Sequence, residues 1–200
     1  MNNELTGTGK WCENVIIADA DYIDKVAFDL IVNFERMLER RIPQADIARW
    51  IDCVALDGGL REGDNRTQVV LIHDKKNLKL DNFRPCDYAD ELDGKAFNDN
   101  LGEFTVSSLP VEDIVSKEDF LADVLATMCA SDDVKRIMVV PDAERMYDTV
   151  RHALRRAGDD KRVTVFAMQP MPGGNFRHEI LGYSLMSALG IRSEELDKSK

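Results

Sequence analysis

The sequence predicts a three-layer α/β/α protein built on a mostly parallel central sheet. Short apolar runs recur along the chain, and helical patterns of spaced apolar residues separate them. This alternation is typical of βα units, whose crossover helices cover both faces of a parallel sheet. The run Arg136–Val140 is almost continuously apolar, as expected of a strand buried on both faces. With 44% hydrophobic residues, the 200-residue chain can bury a large core, and we expect residues 1–200 to form a single domain.

The chain opens with a predicted strand and a long amphipathic helix. Val15–Ala18 is an apolar run, and Ile23 starts a helical pattern that continues to about Glu39. Asp21 stands where an N-cap is expected, and Asp24 follows three residues later, as in an acidic first turn. The opening stretch therefore predicts a strand that leads directly into a capped helix.

A second helix is predicted to start near Pro43, a residue suited to the first turn of a helix. Its apolar positions begin at Ile47, and Gly58-Gly59 ends it. A strand over Trp50–Leu56 is the alternative, because apolar residues there are nearly continuous. After a polar loop over residues 60–66, Thr67–His73 is a clear strand.

The stretch 74–101 carries no regular pattern and many acidic residues. It is too long for a simple connection, so we expect an insertion, a lid or an interaction loop. Glu103–Ser108 then alternates as a strand.

The rest of the chain has a regular pattern. Ser116-Lys-Glu-Asp119 resembles a capping box, with a helix following it to about Met128. Pro172-Gly-Gly-Asn175 is interpreted as a turn with Asn175 as an N-cap, because a phosphate-binding loop would need a different spacing and a lysine. The other predicted elements are a strand at Arg136–Val140, a helix over Met146–Ala157, a strand at Val163–Met168, a helix over Phe176–Ala188 and a polar tail at 192–200.

The net charge of −11 is concentrated in one region. Residues 87–133 hold thirteen acidic residues and two lysines, so the rest of the chain is neutral. Such a region is either a solvated surface or a surface for a protein partner. Basic residues cluster at the end of the first long helix and around the turn at 157–160; they are Arg36, Arg40, Arg41, Arg151, Arg155, Arg156, Lys161 and Arg162.

Neither a membrane span nor a zinc site is expected. No cationic segment precedes an apolar stretch long enough for a signal peptide or a membrane helix, which predicts a cytoplasmic protein. The four cysteines and three histidines are scattered without the close pairs of a zinc site.

Acidic residues follow two of the predicted strands. Asp19 and Asp21 end the first strand, and Asp142 and Glu144 follow the strand at Arg136–Val140. In parallel α/β sheets, ligand sites lie beyond the carboxyl ends of the strands. If these strands are neighbours, the four carboxylates form an oxygen-rich cluster suited to Mg²⁺ or Mn²⁺. The alternative is that Asp21 and Asp142 only cap the helices that follow.

The order of elements resembles the NYN branch of the PIN-like nuclease domains, also a Rossmann-like arrangement. The resemblance covers about two thirds of the chain, and it lies in the order of the elements and the placement of the acids. Three segments carry it: VIIADADYID, VEDIVSKEDFLADVLATM and RIMVVPDAERMYDTVRHALRRAGDDKRVTVFAM.

The resemblance implies metal-dependent hydrolysis of a phosphodiester, with RNA as the implied substrate. Asp19 and Asp142 would be the catalytic acids, and Mg²⁺ or Mn²⁺ the implied cofactor. The implied metal ligands are Asp19, Asp21, Asp119 or Asp123, Asp142 and Glu144.

The chain departs from the family pattern at two points. Asp21-Tyr22 occupies the neighbourhood where an asparagine is common, and Pro141 stands where a glycine is usual. These departures suggest a relative that has kept the fold without the activity. The basic clusters also lie toward helix ends, at the edge of the sheet opposite to the acids, which counts against a nuclease.

Two other families share the Asp19-Ala-Asp21 pattern. A haloacid dehalogenase would carry Thr or Val where Ile23 stands, and a response-regulator receiver would carry a lysine after the last strand, where Gln169 stands. Two functional hypotheses therefore remain. One is a metal-dependent phosphodiesterase or ribonuclease; the other is a non-catalytic protein-interaction or regulatory module, with a partner bound through residues 87–133.

Overall fold

The computed structural model describes residues 10–197, and its centre is a seven-stranded sheet. The strand order is β5-β6-β3-β1-β7-β8-β9, and every neighbouring pair is parallel except β5 with β6. A separate two-stranded sheet pairs β2 with β4. The strands are β1 (Asn14–Asp19), β2 (Ala45–Asp46), β3 (Asn65–Asp74), β4 (Phe83–Arg84), β5 (Ala96–Asp99), β6 (Gly102–Val111), β7 (Arg136–Val140), β8 (Arg162–Ala167) and β9 (Arg177–Ile180).

Helices cover both faces of the large sheet, as predicted. They are α1 (Ala20–Leu38), α2 (Ile47–Asp57), α3 (Lys117–Ala130), α4 (Ala143–Leu154), α5 (Leu181–Ala188) and α6 (Ser193–Asp197). Successive β1 residues point to opposite faces, so Ile16 packs with the α1, α2 and α5 side chains while Ile17 packs with those of α3 and α4. The three-layer α/β/α class with a mostly parallel sheet is therefore confirmed.

The chain order reverses at β1, which places a topological switch point between β1 and β7. Moving outward from β1, the parallel strands β3 and β6 lie on one side, and β7, β8 and β9 on the other. This is the doubly wound order in which ligands bind beyond the carboxyl ends of the strands, where the crossovers diverge. The first strand and Arg136–Val140 are neighbours, since Ala18 pairs with Val140, and this meets the condition on which the convergence of the strand-end acids depended.

The second helix differs from its prediction at its start. Pro43 lies outside it, because Asp46 is the N-cap and its carboxylate accepts a hydrogen bond from the backbone N–H of Arg49. Residues Ala45–Asp46 form strand β2 instead. The alternative strand over Trp50–Leu56 is wrong: this stretch is helical, and its side chains Trp50 and Ile51 fill the core.

Residues 74–101 hold more regular structure than the sequence predicted. Strand β4 pairs with β2, Tyr88–Leu92 forms a π-helical turn, and β5 extends the large sheet as an antiparallel edge strand. Leu80 and Phe83 are fully buried in the core on the α1 side. Much of this stretch therefore packs into the body of the protein.

The helix predicted over Phe176–Ala188 is wrong in its first half. Residues Arg177–Ile180 form the edge strand β9, and α5 begins only at Leu181. Asn175 accordingly caps no helix, because it precedes a strand. Within the predicted polar tail, Ser193–Asp197 forms α6, and residues 198–200 lie outside the described part of the chain.

None of the helices in the described range 10–197 has the length and apolar character needed to cross a membrane.

Candidate functional site at the carboxyl edge of the sheet

Asp19 and Asp142 lie at the switch point. Asp19 is the last residue of β1, and Asp142 is the second residue after β7. Both therefore lie at the carboxyl ends of neighbouring parallel strands. Helix α1 starts directly after β1 without a connecting loop, so the N-cap falls on the strand end. Asp19 Oδ1 accepts a hydrogen bond from the backbone N–H of Tyr22 at 3.1 Å, so the prediction of Asp21 as the N-cap is wrong.

A lysine from the second half of the chain joins the two acids of the first strand end. Lys117, the first residue of α3, places Nζ 2.9 Å from Oδ1 of Asp19 and 2.7 Å from Oδ2 of Asp21. The Asp19 side chain is 1% exposed, and those of Lys117 and Asp21 are both 18% exposed. One ammonium therefore bridges two largely buried carboxylates, which we call the Lys117 bridge.

Asp21 also fixes the loop after β3. Its Oδ2 accepts a hydrogen bond from the backbone N–H of Asp74 at 2.8 Å, and its Oδ1 accepts one from Nδ2 of Asn77 at 2.6 Å. Together with Lys117, these donors occupy both of its oxygens. The carboxylate thus connects the start of α1 with the loop after β3 and the start of α3.

Asp24 holds the same region one turn further along α1. Its Oδ1 accepts a hydrogen bond from the backbone N–H of Asn82 at 2.8 Å, and its Oδ2 accepts one from the Asn82 side chain at 3.2 Å. The three acids of the opening stretch therefore have different structural contacts: Asp19 caps α1, while Asp21 and Asp24 each bind part of residues 74–82.

The pKa values of the bridge reflect burial and charge together. Burial raises the pKa of Asp19 above its ordinary value, even though Lys117 opposes this. For Asp21, burial works in the same direction, but bonds from Lys117, Asp74 and Asn77 bring the pKa below its ordinary value. Burial alone would lower the pKa of Lys117, yet the two carboxylates hold it above its ordinary value. The lysine is therefore charged at neutral pH and balances one of the two negative charges beside it.

The acids after β7 act electrostatically on the Tyr22 hydroxyl. Burial, followed by the negative charges of Glu144, Asp142 and Asp19, raises the pKa of the Tyr22 hydroxyl to about 12. The Tyr22 hydroxyl and Oδ1 of Asp142 are both buried, and neither has a hydrogen-bond partner within residues 10–197. Asp142 is the N-cap residue of α4 by position but makes no side-chain capping bond. The structure thus brings Asp142 and Glu144 into the electrostatic environment that Asp19 shares.

The acids of α3 lie apart from this arrangement. Asp119 belongs to the predicted capping box: its backbone N–H donates to Oγ of Ser116 at 3.0 Å, and its Oδ2 accepts from that hydroxyl at 2.7 Å. Asp123 is exposed on the same helix. The residue of α3 that reaches the strand-end acids is Lys117.

The acids at the carboxyl edge are not gathered around one point. Among the described residues, no group of three or more His, Cys, Asp or Glu side chains is placed to hold a metal ion. The Lys117 ammonium lies against the two acids that a cation would contact first. The ligand set Asp19, Asp21, Asp119, Asp123, Asp142 and Glu144 stays a prediction, and so does the use of Mg²⁺ or Mn²⁺.

No role at this edge was predicted for Lys117 or His73. His73, near the end of β3, stacks on Tyr88 with ring centroids 3.7 Å apart, and its Nε2 is buried without a partner in the described chain. The signal for Lys117 was its position at the first turn of a helix after a strand, where βα topology puts it at the carboxyl edge. No local pattern marks the pairing of His73 with Tyr88.

The comparison with protein families places the chain in a known group. The model of the Family of unknown function (DUF6621) matches residues 8–196. The chain belongs to the DUF6621 family. The match spans every residue of the carboxyl edge described above. No curated protein and no solved structure matches the chain significantly. The resemblance to PIN-like and NYN domains accordingly has no support from these comparisons, and the function has to be argued from the site itself.

Proposed function

We propose that this DUF6621 protein is a non-catalytic protein-interaction or regulatory module that keeps a nuclease-like order of elements. The observation that carries the proposal is the Lys117 bridge. A metal-dependent phosphodiesterase needs strand-end carboxylates whose negative charge is balanced by a cation that can activate water. Here the Lys117 ammonium, which belongs to the chain itself, lies 2.9 Å from Asp19 and 2.7 Å from Asp21 and balances one of their two negative charges.

The other bonds of the strand-end acids support a structural role. Asp21 and Asp24 bind backbone and side-chain donors of residues 74–82, so their oxygens stabilise the fold. A carboxylate that already accepts several hydrogen bonds has few lone pairs left for a ligand.

Apolar side chains on two loops at the same edge are the basis for an interaction surface. Leu78 is 72% exposed and Ile114 is 92% exposed. The loops that carry them are joined by ion pairs of Lys75 with Glu112 and of Lys76 with Asp113. Ile114 lies within the acidic region 87–133, which was the predicted surface for a protein partner. We infer that Leu78, Ile114 and the ion pairs beside them form one contact surface, because a contiguous apolar patch with a polar rim is typical of a protein contact.

A metal-dependent phosphodiesterase or ribonuclease is the second candidate, and Asp142 favours it. Its buried Oδ1 has no hydrogen-bond partner within residues 10–197. After burial, the negative charges of Glu144, Asp142 and Asp19 raise the pKa of the Tyr22 hydroxyl. A buried oxygen without a partner is costly unless water or a ligand binds it. This candidate requires Lys117 to leave Asp19 so that a cation can approach.

The test is incubation of the purified protein with single-stranded RNA and Mn²⁺. Our proposal predicts intact RNA, the same as with the variant Asp142→Asn. Cleavage by the wild type that is lost in Asp142→Asn would establish the second candidate instead. A parallel pull-down with wild type and Ile114→Asp tests the interaction surface: a protein partner retained by the wild type alone supports it.

A further inference from the structure

A strongly basic cavity lies at the amino edge of the sheet, opposite to the carboxylates. It has a volume of about 810 Å³ and includes four arginines, Arg61, Arg136, Arg162 and Arg177. No acidic residue of the described chain lines it, although the protein as a whole carries a net charge of −11. The cavity is therefore a local concentration of positive charge in a chain whose net charge is negative.

The sheet aligns three of these arginines on one face. Arg136, Arg162 and Arg177 are the first residues of β7, β8 and β9. Arg136 pairs with Arg162, and Arg177 pairs with Thr164, two residues along from Arg162. Paired residues of neighbouring strands, and residues two apart on one strand, share a face of the sheet. The three side chains therefore extend over the same side, where the loop after α2 supplies Arg61.

Two guanidinium groups converge over Gly59. This glycine has a φ of 89°, and a Cβ at this position would lie 2.9 Å from Nη1 of Arg136 and 3.5 Å from Nη1 of Arg177. The absence of a side chain at Gly59 thus leaves the space that both groups occupy. Like charges this close repel each other, and an anion between them would turn the repulsion into attraction.

The chain neutralises these arginines only in part. Arg177 forms an ion pair with Glu179 at 2.7 Å, while Arg136 donates to the carbonyl oxygen of Gly58 at 2.7 Å. Within residues 10–197, Arg61, Arg136 and Arg162 have no carboxylate within 4.0 Å. Burial and the charges of Arg162 and Arg61 lower the pKa of Arg136 from its ordinary value, while Glu13 acts in the opposite direction.

The carbonyl oxygens at the end of α2 offset only part of the positive charge of the arginines. Arg61 and Arg136 donate to the carbonyl oxygens of Leu56, Leu60 and Gly58 at the end of α2. The end of a helix carries only about half a negative charge. Lys161, which also lines the cavity, donates to the carbonyl oxygens of Ser131 and Val134. A positive excess therefore remains on Arg162 and Arg136.

We infer that this cavity binds the phosphate groups of a nucleotide, either free or within a single strand of nucleic acid. Guanidinium groups bind phosphate oxygens through paired hydrogen bonds, which suits several arginines on one wall. The half-buried ring of Phe176 lines the same cavity and also an adjoining one of about 430 Å³, which Arg151 and Arg155 line. An aromatic ring beside bound phosphates can stack on a base. This site is independent of the Lys117 bridge and goes beyond the proposed interaction role.

The experiment measures binding of ATP, pyrophosphate and a short single-stranded RNA to the full chain at low salt. We expect at least one of the three to bind, and its affinity to fall as salt is raised. The double variant Arg61→Gln, Arg162→Gln should bind about tenfold more weakly or worse, because it removes two charged donors. Lys76→Gln is the control: it removes one exposed charge at the opposite edge, where the double variant removes two at the cavity, and it should bind like the wild type.

The three ligands distinguish the source of the phosphate. Equal binding of pyrophosphate and ATP means that the phosphates alone are recognised, and tighter binding of ATP that Phe176→Ala reduces to the level of pyrophosphate assigns the base to Phe176. Tighter binding of the RNA means that the phosphates belong to a strand. Binding of none of them, or equal weakening by Lys76→Gln and by the double variant, would overturn the inference.

Discussion

The ammonium of Lys117 lies 2.9 Å from Oδ1 of Asp19, a carboxylate that is 1% exposed at the end of the central strand. Asp19 is also the N-cap of α1, and Lys117 opens α3 on the opposite face of the sheet. One ion pair thus joins the central strand to helices of both outer layers. The same contact neutralises the residue that would otherwise be the first candidate for a metal ligand.

Removal of the lysine should destabilise the protein strongly. Lys117→Met leaves Asp19 buried without a counter-ion, which typically costs about 3–5 kcal/mol of unfolding free energy. Chemical denaturation of wild type and variant measures the loss. Lys75→Met is the matched control, because it removes a pair with Glu112 in which both side chains are more than half exposed, and it should change the unfolding free energy little. Equal losses in the two variants would show that the Lys117 bridge has no special role.

Stability should fall between acidic and neutral pH because of Asp52. Burial, a hydrogen bond with Asp99 and repulsion from that residue raise the pKa of Asp52 from 3.8 to about 7. The folded protein therefore holds this proton more tightly than the unfolded chain. The stabilisation of the folded state by this proton is complete below about pH 3.8, and it is lost as the pH rises to about 7.

The variant Asp52→Asn tests this dependence. It should raise the melting temperature at pH 8, where Asp52 and Asp99 repel each other. It should also reduce the difference between the melting temperatures at pH 4 and pH 7. Asp29→Asn, at a largely exposed position of α1, is the control and should follow the wild-type curve. A pH profile unchanged by Asp52→Asn would contradict the prediction.

Asp24 should control the local stability of residues 75–92. In Asp24→Ala, the backbone N–H of Asn82 loses its acceptor, and the Asn82 side chain keeps only its 3.3 Å bond to the backbone carbonyl oxygen of residue 24. Hydrogen exchange of the amides around Asn82 should accelerate, while those of β7 stay protected. Asp29→Ala should leave both regions unchanged. Uniform acceleration over the whole chain would instead mean that Asp24 acts on global stability.

Much of the architecture follows from local sequence patterns. Arg136–Val140 was predicted residue for residue, because an apolar run buried on both faces has sharp ends. The capping box at Ser116 was also predicted, since its bonds join residues three apart. Edge strand β9 was mistaken for helix, because the polar residues Arg177–Glu179 have neither strand alternation nor a continuous apolar run.

The candidate site was predictable in its position but not in its chemistry. The order of strands and helices placed Asp19 and Asp142 at one edge, and the structure agrees. The Lys117 bridge depends on how α3 returns across the sheet, and no local pattern encodes a contact between residues so distant in sequence. The convergence of Arg136 and Arg177 over Gly59 depends in the same way on the register of β7, β8 and β9.

The most direct test of the account is the change in melting temperature caused by millimolar Mn²⁺ in wild type and in Lys117→Met. A ligand that binds only the folded state raises its stability. We predict no shift for the wild type, in which the Lys117 ammonium contacts both Asp19 and Asp21, and a rise for Lys117→Met, in which these two carboxylates lack a counter-ion. A rise in the wild type that Asp142→Asn removes would contradict the account.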